Sequence, residues 1–326
     1  MKNSSIKFTY FFFLTLAVLV ALPAFSQQQQ NRGRAPNPTD EQVQQRVPGG
    51  VTFIPNIAYR QGNEAWRLDL AMPTERGDSP RPAIVFVHGG GWRNGDKRAG
   101  SFLNPTLSYA AKGYVCITVN YRMLDQVPIN GCVEDVKNAV RWLRAHAKKY
   151  NVDPSRIGAT GNSAGAHLSV MLGLCPASAG LEGDGPYQGY SSVVQAVAAS
   201  ATPTNFLVIM NERQQRLAEG QKKGEQLRES DKNDPVVEPE AFRRKISPIS
   251  YVTDKTPPVL LFHEASDSTV KVYQSDHFIE ALRKSGAKDV NYMLFGDGTG
   301  HGVFQRNIAV TEPAREAFFA RTLKHK

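Results

Sequence analysis

Residues 159–168, ATGNSAGAHL, set one serine between two glycines directly after a short apolar run. Within it, Gly161-Asn162-Ser163-Ala164-Gly165 has the form G-x-S-x-G. Five residues of this kind are common in loops and say little by themselves. The context says more, because RIGAT before the serine reads as a buried strand and the stretch from Ala164 reads as a helix. A sharp strand-to-helix turn puts the serine in strained backbone geometry and exposes its hydroxyl. Only small neighbours, Gly161 and Gly165, leave room for such a bend.

Around that turn the chain alternates short apolar runs with helical patterns, which predicts an α/β fold with a mostly parallel sheet flanked by helices. The runs AIVFVHG, YVCITVN, RIGATGN, VVQAVAAS, PVLLFH and VNYMLF suit strands covered on both faces, and WRLDLAMP alternates like an early edge strand. Helical patterns fall at about 101–112, 132–149, 164–175, 271–285 and 313–324. In the second of these, Val133, Val136, Val140 and Leu143 recur at three- and four-residue steps, and Asp135, Lys137, Arg141 and Arg144 are expected largely outward. No internal repeat is visible.

The chain has 326 residues, enough for a full hydrophobic core. Residues 1–26 read as a signal peptide: Lys2 and Lys7 precede an apolar stretch, Pro23 interrupts it, and Ala24-Phe25-Ser26 suits cleavage after Ser26. A membrane anchor is the rival reading, disfavoured by Pro23 and the cleavage-like end; no stable membrane insertion is expected afterwards. This predicts a secreted or periplasmic protein. Residues 27–48, rich in glutamine and proline, read as a disordered leader, and 49–326 as one domain. Its rhythm breaks at about 204–247, where NERQQRLAEGQKKGEQLRESDKND is charged and helix-prone. That interval is expected to be a helical insertion, either a solvated surface element or a lid.

The formal net charge is +9, but the lysines and arginines are scattered, and no basic run points to nucleic acid. Cys116, Cys132 and Cys175 are too few for a disulfide framework, and at least one thiol is expected free. No H-E-x-x-H or paired C-x-x-C supports a metal, no P-loop or dinucleotide spacing supports a nucleotide, and no cofactor is expected.

A serine hydroxyl needs a base, and the base needs a carboxylate to hold its tautomer. If the order serine, acid, histidine applies, the base lies after PVLLFH, where only His277, His301 and His325 remain. His277 falls in a helical pattern and His325 in the C-terminal tail, whereas His301 lies in the loop GDGTGHGVF, whose glycines permit close approach. His167 rides on the helix after the elbow and precedes the acid, so it drops out as base. The loop HEASDSTV offers Asp267, expected to be oriented by Ser268 and Thr269, with Glu264 in reserve. His88-Gly89-Gly90-Gly91 follows a buried strand. The N–H groups of Gly90 and Gly91, with that of Ala164, are the expected oxyanion donors, each typically worth roughly 3 kcal/mol in the barrier.

From about Trp66 to Phe304 the chain resembles the α/β-hydrolase superfamily, specifically the HGGG-bearing carboxylesterase branch that includes secreted acetylxylan and feruloyl esterases. The resemblance runs through VFVHGGGWRNGDKR, VNYR, VEDVKNAVRWLRAHAKKYNVDPSRIGATGNSAGAHL, SPISYVTDKTPPVLLFH, DSTVKVYQSDHF and GHGVF. It implies Ser163 as nucleophile, Asp267 as acid and His301 as base. It also implies a serine esterase acting on acetyl or feruloyl groups of plant polysaccharide, with a small-molecule carboxylesterase or arylformamidase as the alternative. A non-catalytic binding protein on the same fold is the third reading. Two positions depart from relatives: Glu264 where glycine is usual, and Lys271 where proline is frequent. Glu264 adds a carboxylate near the acid loop, where it is placed to affect His301 or the substrate mouth.

Overall fold

The computed structural model describes residues 37–208, 210–227 and 231–324. Eight strands form one sheet: β1 (Val51–Ala58), β2 (Arg67–Pro73), β3 (Arg81–Val87), β4 (Val115–Val119), β5 (Val152–Asn162), β6 (Ala196–Ser200), β7 (Val259–Glu264) and β8 (Val290–Phe295). Their order is β1-β2-β4-β3-β5-β6-β7-β8. β2 pairs antiparallel with β1 and β4, and every pairing from β4 to β8 is parallel. This is the expected α/β-hydrolase fold.

Helices α1 (Asp40–Gln44), α2 (Gly100–Ala111), α3 (Ile129–Ala145), α4 (Ala147–Tyr150) and α5 (Ala164–Leu174) come from the first half of the chain. α6 (Glu212–Lys222), α7 (Glu240–Lys245), α8 (Tyr273–Lys284), α9 (Val303–Arg306) and α10 (Ile308–Phe319) follow. Alternation along a strand sends successive side chains to opposite faces. In β3, Ala83, Val85 and Val87 join the core with residues of α3, α5 and α8, while Ile84 and Phe86 join the other core with residues of α2 and α10. All five are essentially inaccessible. Removing a side chain the size of Ile84 or Phe86 from water contributes about 1.5–3 kcal/mol, so the central strands are held from both sides.

Several expectations are corrected. β2 is not the edge, because β1 lies outside it. β1 carries Pro55 and shifts register between Ile54 and Ile57, and Asn56 there has φ 55°. Such a break erases the period-2 signal, and a proline is tolerated because the strand is at the edge. β8, the other edge, is only partly covered, with Leu294 53% exposed. Part of the leader is ordered: Thr39 caps α1 through a capping box with Gln42. The fully buried Val43 docks there among Phe53, Leu103 and Leu107. One apolar residue on a capped turn leaves no periodic trace in a sequence. The expected signal peptide and residues 27–36 lie outside the described residues, as does His325. Among the described residues no helix is long and apolar enough to cross a membrane.

The charges of α3 are corrected too. Asp135, Lys137, Arg141 and Arg144 are buried rather than outward. The segment between α5 and β6 supplies acceptors to the three basic residues. Lys137 and Arg141 both bind Glu182, and Arg144 donates to the carbonyls of Ser191 and Val193 at 2.5 and 2.6 Å. Asp135 accepts from Trp66 Nε1 at 2.9 Å and pairs with Arg122 at 2.8 Å. Buried charges are tolerated when paired in this way. Val133, Val136, Val140 and Leu143 do lie in the core as expected. All three cysteines are free and buried.

Candidate active site

Parallel strands end on one edge of the sheet, and the loops that follow them meet there. Ser163 follows β5, Asp267 follows β7 and His301 follows β8. The His88–Gly91 stretch follows β3 on the same edge.

Ser163 has φ 53° and ψ −121°, a conformation that costs an L-residue of order 1–3 kcal/mol and persists only when surroundings enforce it. Here its N–H donates to the Ser200 carbonyl at 2.9 Å, and its carbonyl accepts from His167 N–H at 3.0 Å. Close packing completes the bend. A Cβ on Gly165 would lie 2.1 Å from the Val87 carbonyl oxygen, and one on Gly161 would strike Gly165 and the same oxygen. The elbow is therefore pressed against the end of β3, where the His88 loop begins. Ser163 is 9% exposed.

Asp267 and His301 are brought together: His301 Nδ1 donates to Asp267 Oδ2 at 2.8 Å. The other oxygen, Oδ1, accepts from the N–H groups of Thr269 and Val270 at 2.8 and 3.0 Å. Asp267 is thus oriented by backbone donors rather than by the Ser268 and Thr269 side chains. Burial alone would raise its carboxyl. Hydrogen bonds from His263 and His301 outweigh burial and hold it well below the usual carboxylate range. Asp267 is inaccessible, while the His301 side chain is 29% exposed, so the ring faces solvent from a fixed base. With Nδ1–H committed to the carboxylate, Nε2 is the nitrogen left to exchange protons.

The glycine loop has the conformation that its composition permits. Gly90 has φ +124° and Gly91 φ +61°, and a Cβ on Gly90 would lie 1.8 Å from the Asn94 carbonyl oxygen. The Gly90 carbonyl accepts from Arg93 and Asn94 N–H at 3.1 and 3.2 Å, folding the loop into a tight turn. Tyr121 OH donates to the His88 carbonyl at 2.8 Å, and the two rings stack at 4.4 Å. Asn120 Oδ1 accepts from Lys97 N–H at 2.6 Å and its amide donates to Asp96 at 2.9 Å. The VNYR stretch therefore clamps both ends of the glycine loop, a role that its position after β4 allowed but did not declare.

Sequence reasoning also missed how the insertion is fastened. Arg93, two residues beyond Gly91, pairs with Asp234 at 3.0 Å and Asp231 at 3.6 Å; Arg213 of α6 binds the same two carboxylates. Asn233 donates to the Leu124 carbonyl at 2.6 Å, and Asn211 to that of Thr269 in the acid loop at 3.0 Å. The charged interval is tied to three loops of the site edge, not simply solvated. His167 is fully buried between Trp92 and Phe206 and donates through Nε2 to the Ile246 carbonyl at 2.9 Å. It joins the elbow helix to the insertion and has no access to a substrate. Glu264 is occupied elsewhere, in the loop that carries His301.

Residues 68–282 match the BD-FAE family. The chain is 31% identical over 255 residues to Esterase LipC of Mycobacterium tuberculosis, covering 78% of this chain and 60% of that protein. For Esterase LipQ of the same organism the identity is 28% over 274 residues, with 78% and 62% covered. The chain thus spans about 60% of the length of these curated relatives. Among solved structures it is similar to a truncated carbohydrate esterase from gut microbiota, with TM-score 0.70 and 25% identity over 84% of this chain and 96% of that one. The butyrate-bound esterase 2 of Thermogutta terrifontis gives 0.65 and 26%, over 85% and 97%. With the match covering most of the chain, the protein belongs to the BD-FAE family, a carboxylesterase family of the α/β-hydrolase superfamily.

Proposed function

We propose that the protein is an exported serine esterase that releases acetyl or feruloyl groups from plant polysaccharide such as xylan. The observation that carries this reading is the Asp267–His301 hydrogen bond at 2.8 Å on the same sheet edge as the strained Ser163 elbow. In the proposed reaction His301 Nε2 takes the proton from Ser163 Oγ as the oxygen attacks the ester carbonyl. The N–H groups of Gly90, Gly91 and Ala164 receive the negative charge of the tetrahedral intermediate. Collapse breaks the bond to the alcohol, which leaves with the proton from His301, and the acyl group stays on Ser163. Water, deprotonated by His301, attacks the acyl-enzyme; the carboxylic acid departs and the proton returns to Ser163. Asp267 stabilises the imidazolium in each half.

Membership of a carboxylesterase family supports the ester chemistry, and likeness to a carbohydrate esterase supports the polysaccharide choice. The likeness to a butyrate-bound esterase favours a second reading, a small-ester hydrolase with the same chemistry. Product analysis after incubation with acetylated and feruloylated xylan fragments, beside p-nitrophenyl butyrate, separates the two. Release of acetate or ferulate supports the first, and cleavage of p-nitrophenyl butyrate alone replaces it with the second.

A further inference from the structure

His301 sits in a loop, Gly296-Asp297-Gly298-Thr299-Gly300-His301-Gly302, in which alternate residues are glycine. Glycine loses more conformational freedom on folding than any other residue, so such a segment is costly to order. Asp267 fixes only the ring, through Nδ1. A side chain on a loose backbone is not positioned by one hydrogen bond at its tip, so something else must hold the backbone.

Glu264, the last residue of β7, is 1% exposed and points its carboxylate into this loop. Oε1 accepts from Gly298 N–H at 3.2 Å, and Oε2 accepts from Gly300 N–H at 3.1 Å. Oε2 also accepts from the Ser266 N–H at 2.8 Å and the Ser266 hydroxyl. All four partners donate, which only an ionised carboxylate can satisfy completely. The Ser266 hydroxyl, followed by the three backbone N–H groups, holds the carboxyl below its ordinary value against the opposing effect of burial. The backbone of Glu264 is itself fixed, since it is paired with Phe295 across β7 and β8.

We propose that Glu264 is a positioning residue for His301: it binds the glycine loop's backbone on the residue before the histidine while Asp267, three residues further along, binds the ring. The two carboxylates thus hold His301 at two points, the ring through Asp267 and the preceding backbone through Glu264. The serine at 266 keeps Glu264 ionised and aimed. This inference rests on His301 being the base of the proposed esterase. It deepens that reading, because the sequence placed a carboxylate at 264 near the acid loop and His301 without saying what it binds.

The test compares wild type with Glu264→Ala and Glu264→Gln on p-nitrophenyl acetate, with hydrogen exchange of the 296–302 segment and thermal unfolding measured on the same proteins. In Glu264→Gln the amide oxygen can still accept from Ser266 and Gly300, but its NH2 group faces the Gly298 N–H, so the loop is held in part. Expected is a fall in kcat of about 30- to 100-fold for Ala and about 3- to 10-fold for Gln, with KM changed by less than about twofold, as for a misplaced catalytic group. Exchange in 296–302 should quicken in the same order. A kcat for either variant within about twofold of wild type, or a loss of kcat with no faster exchange in that segment, overturns the proposal. If Glu264→Ala does not fold, Glu264→Gln decides alone by the same two criteria. Ser163→Ala run alongside keeps the two readings apart: undiminished turnover there removes the esterase reading, while exchange still reports whether Glu264 holds the loop.

Discussion

Burial of His167 between Trp92 and Phe206 leads to a measurable dependence of stability on pH. Its Nε2–H is committed to the Ile246 carbonyl, and Nδ1 has no hydrogen-bond partner among the described residues. Adding a proton there would place an unpaired N–H and a full charge in the core. Burial lowers its pKa from the ordinary 6.5 to about 4, with the Ile246 bond only partly opposing. The unfolded chain therefore binds the proton first as pH falls, and stability must fall with it between about 6.5 and 4, then level off. Taking those two values, the loss between pH 7.5 and 4.5 is about 2.5 kcal/mol from this residue alone. Urea unfolding of wild type and His167→Gln at both pH values isolates it, because glutamine can donate to Ile246 and does not titrate. The variant should lose about 2.5 kcal/mol less than wild type over that interval. Equal losses in the two proteins would refute the neutral, buried assignment, and with it the exclusion of His167 from proton transfer.

Gly165→Ala forces a Cβ against backbone oxygen at 2.1 Å, so the turn must move; thermal unfolding should report a loss of at least about 2 kcal/mol, and kcat should drop with it. Asp69 of β2 is inaccessible and pairs with Lys97 at 3.1 Å and Arg98 at 2.6 Å. Asp69→Asn removes the carboxylate paired with buried Lys97 and leaves Arg98 only the more exposed Asp40, and should cost about 3–5 kcal/mol in denaturant titration. Asp267→Asn should lower kcat by about 10⁴-fold. Because the native Asp267 carboxyl is held below its unfolded value, its stabilising contribution is complete at neutral pH and lost as pH falls below about 4. The stability gap between wild type and Asp267→Asn should accordingly narrow in acid, as followed by unfolding curves from pH 7 to 3.

What was legible in the sequence was whatever local pattern dictates. The buried strand RIGAT, the turn at Ser163 and the helix after it follow from apolar runs and glycine spacing, and the structure has them at β5 and α5. The loop positions of Asp267 and His301 follow from chain order together with the apolar runs and glycines around them. Hidden features depend on partners distant in sequence. Lys137, Arg141 and Arg144 of α3 look solvent-facing until Glu182 and the Ser191 and Val193 carbonyls are folded over them. Arg93 has no visible purpose until Asp231 and Asp234 arrive from the insertion. β1 was lost because Pro55 and the bulge beside it break the alternation. Glu264 read as the reserve acid or a charge near His301, since nothing local announces that a glycine loop more than thirty residues away will donate to it.

Ser163 as attacking group and His301 as its activator are proposed to act as one unit. Turnover of p-nitrophenyl acetate by wild type, Ser163→Ala, His301→Ala and the double variant tests this most directly. Groups acting as a unit are strongly non-additive, so each single change should lower kcat by about 10⁶-fold and the double change should add almost nothing. Turnover by Ser163→Ala equal to that of wild type would contradict the account.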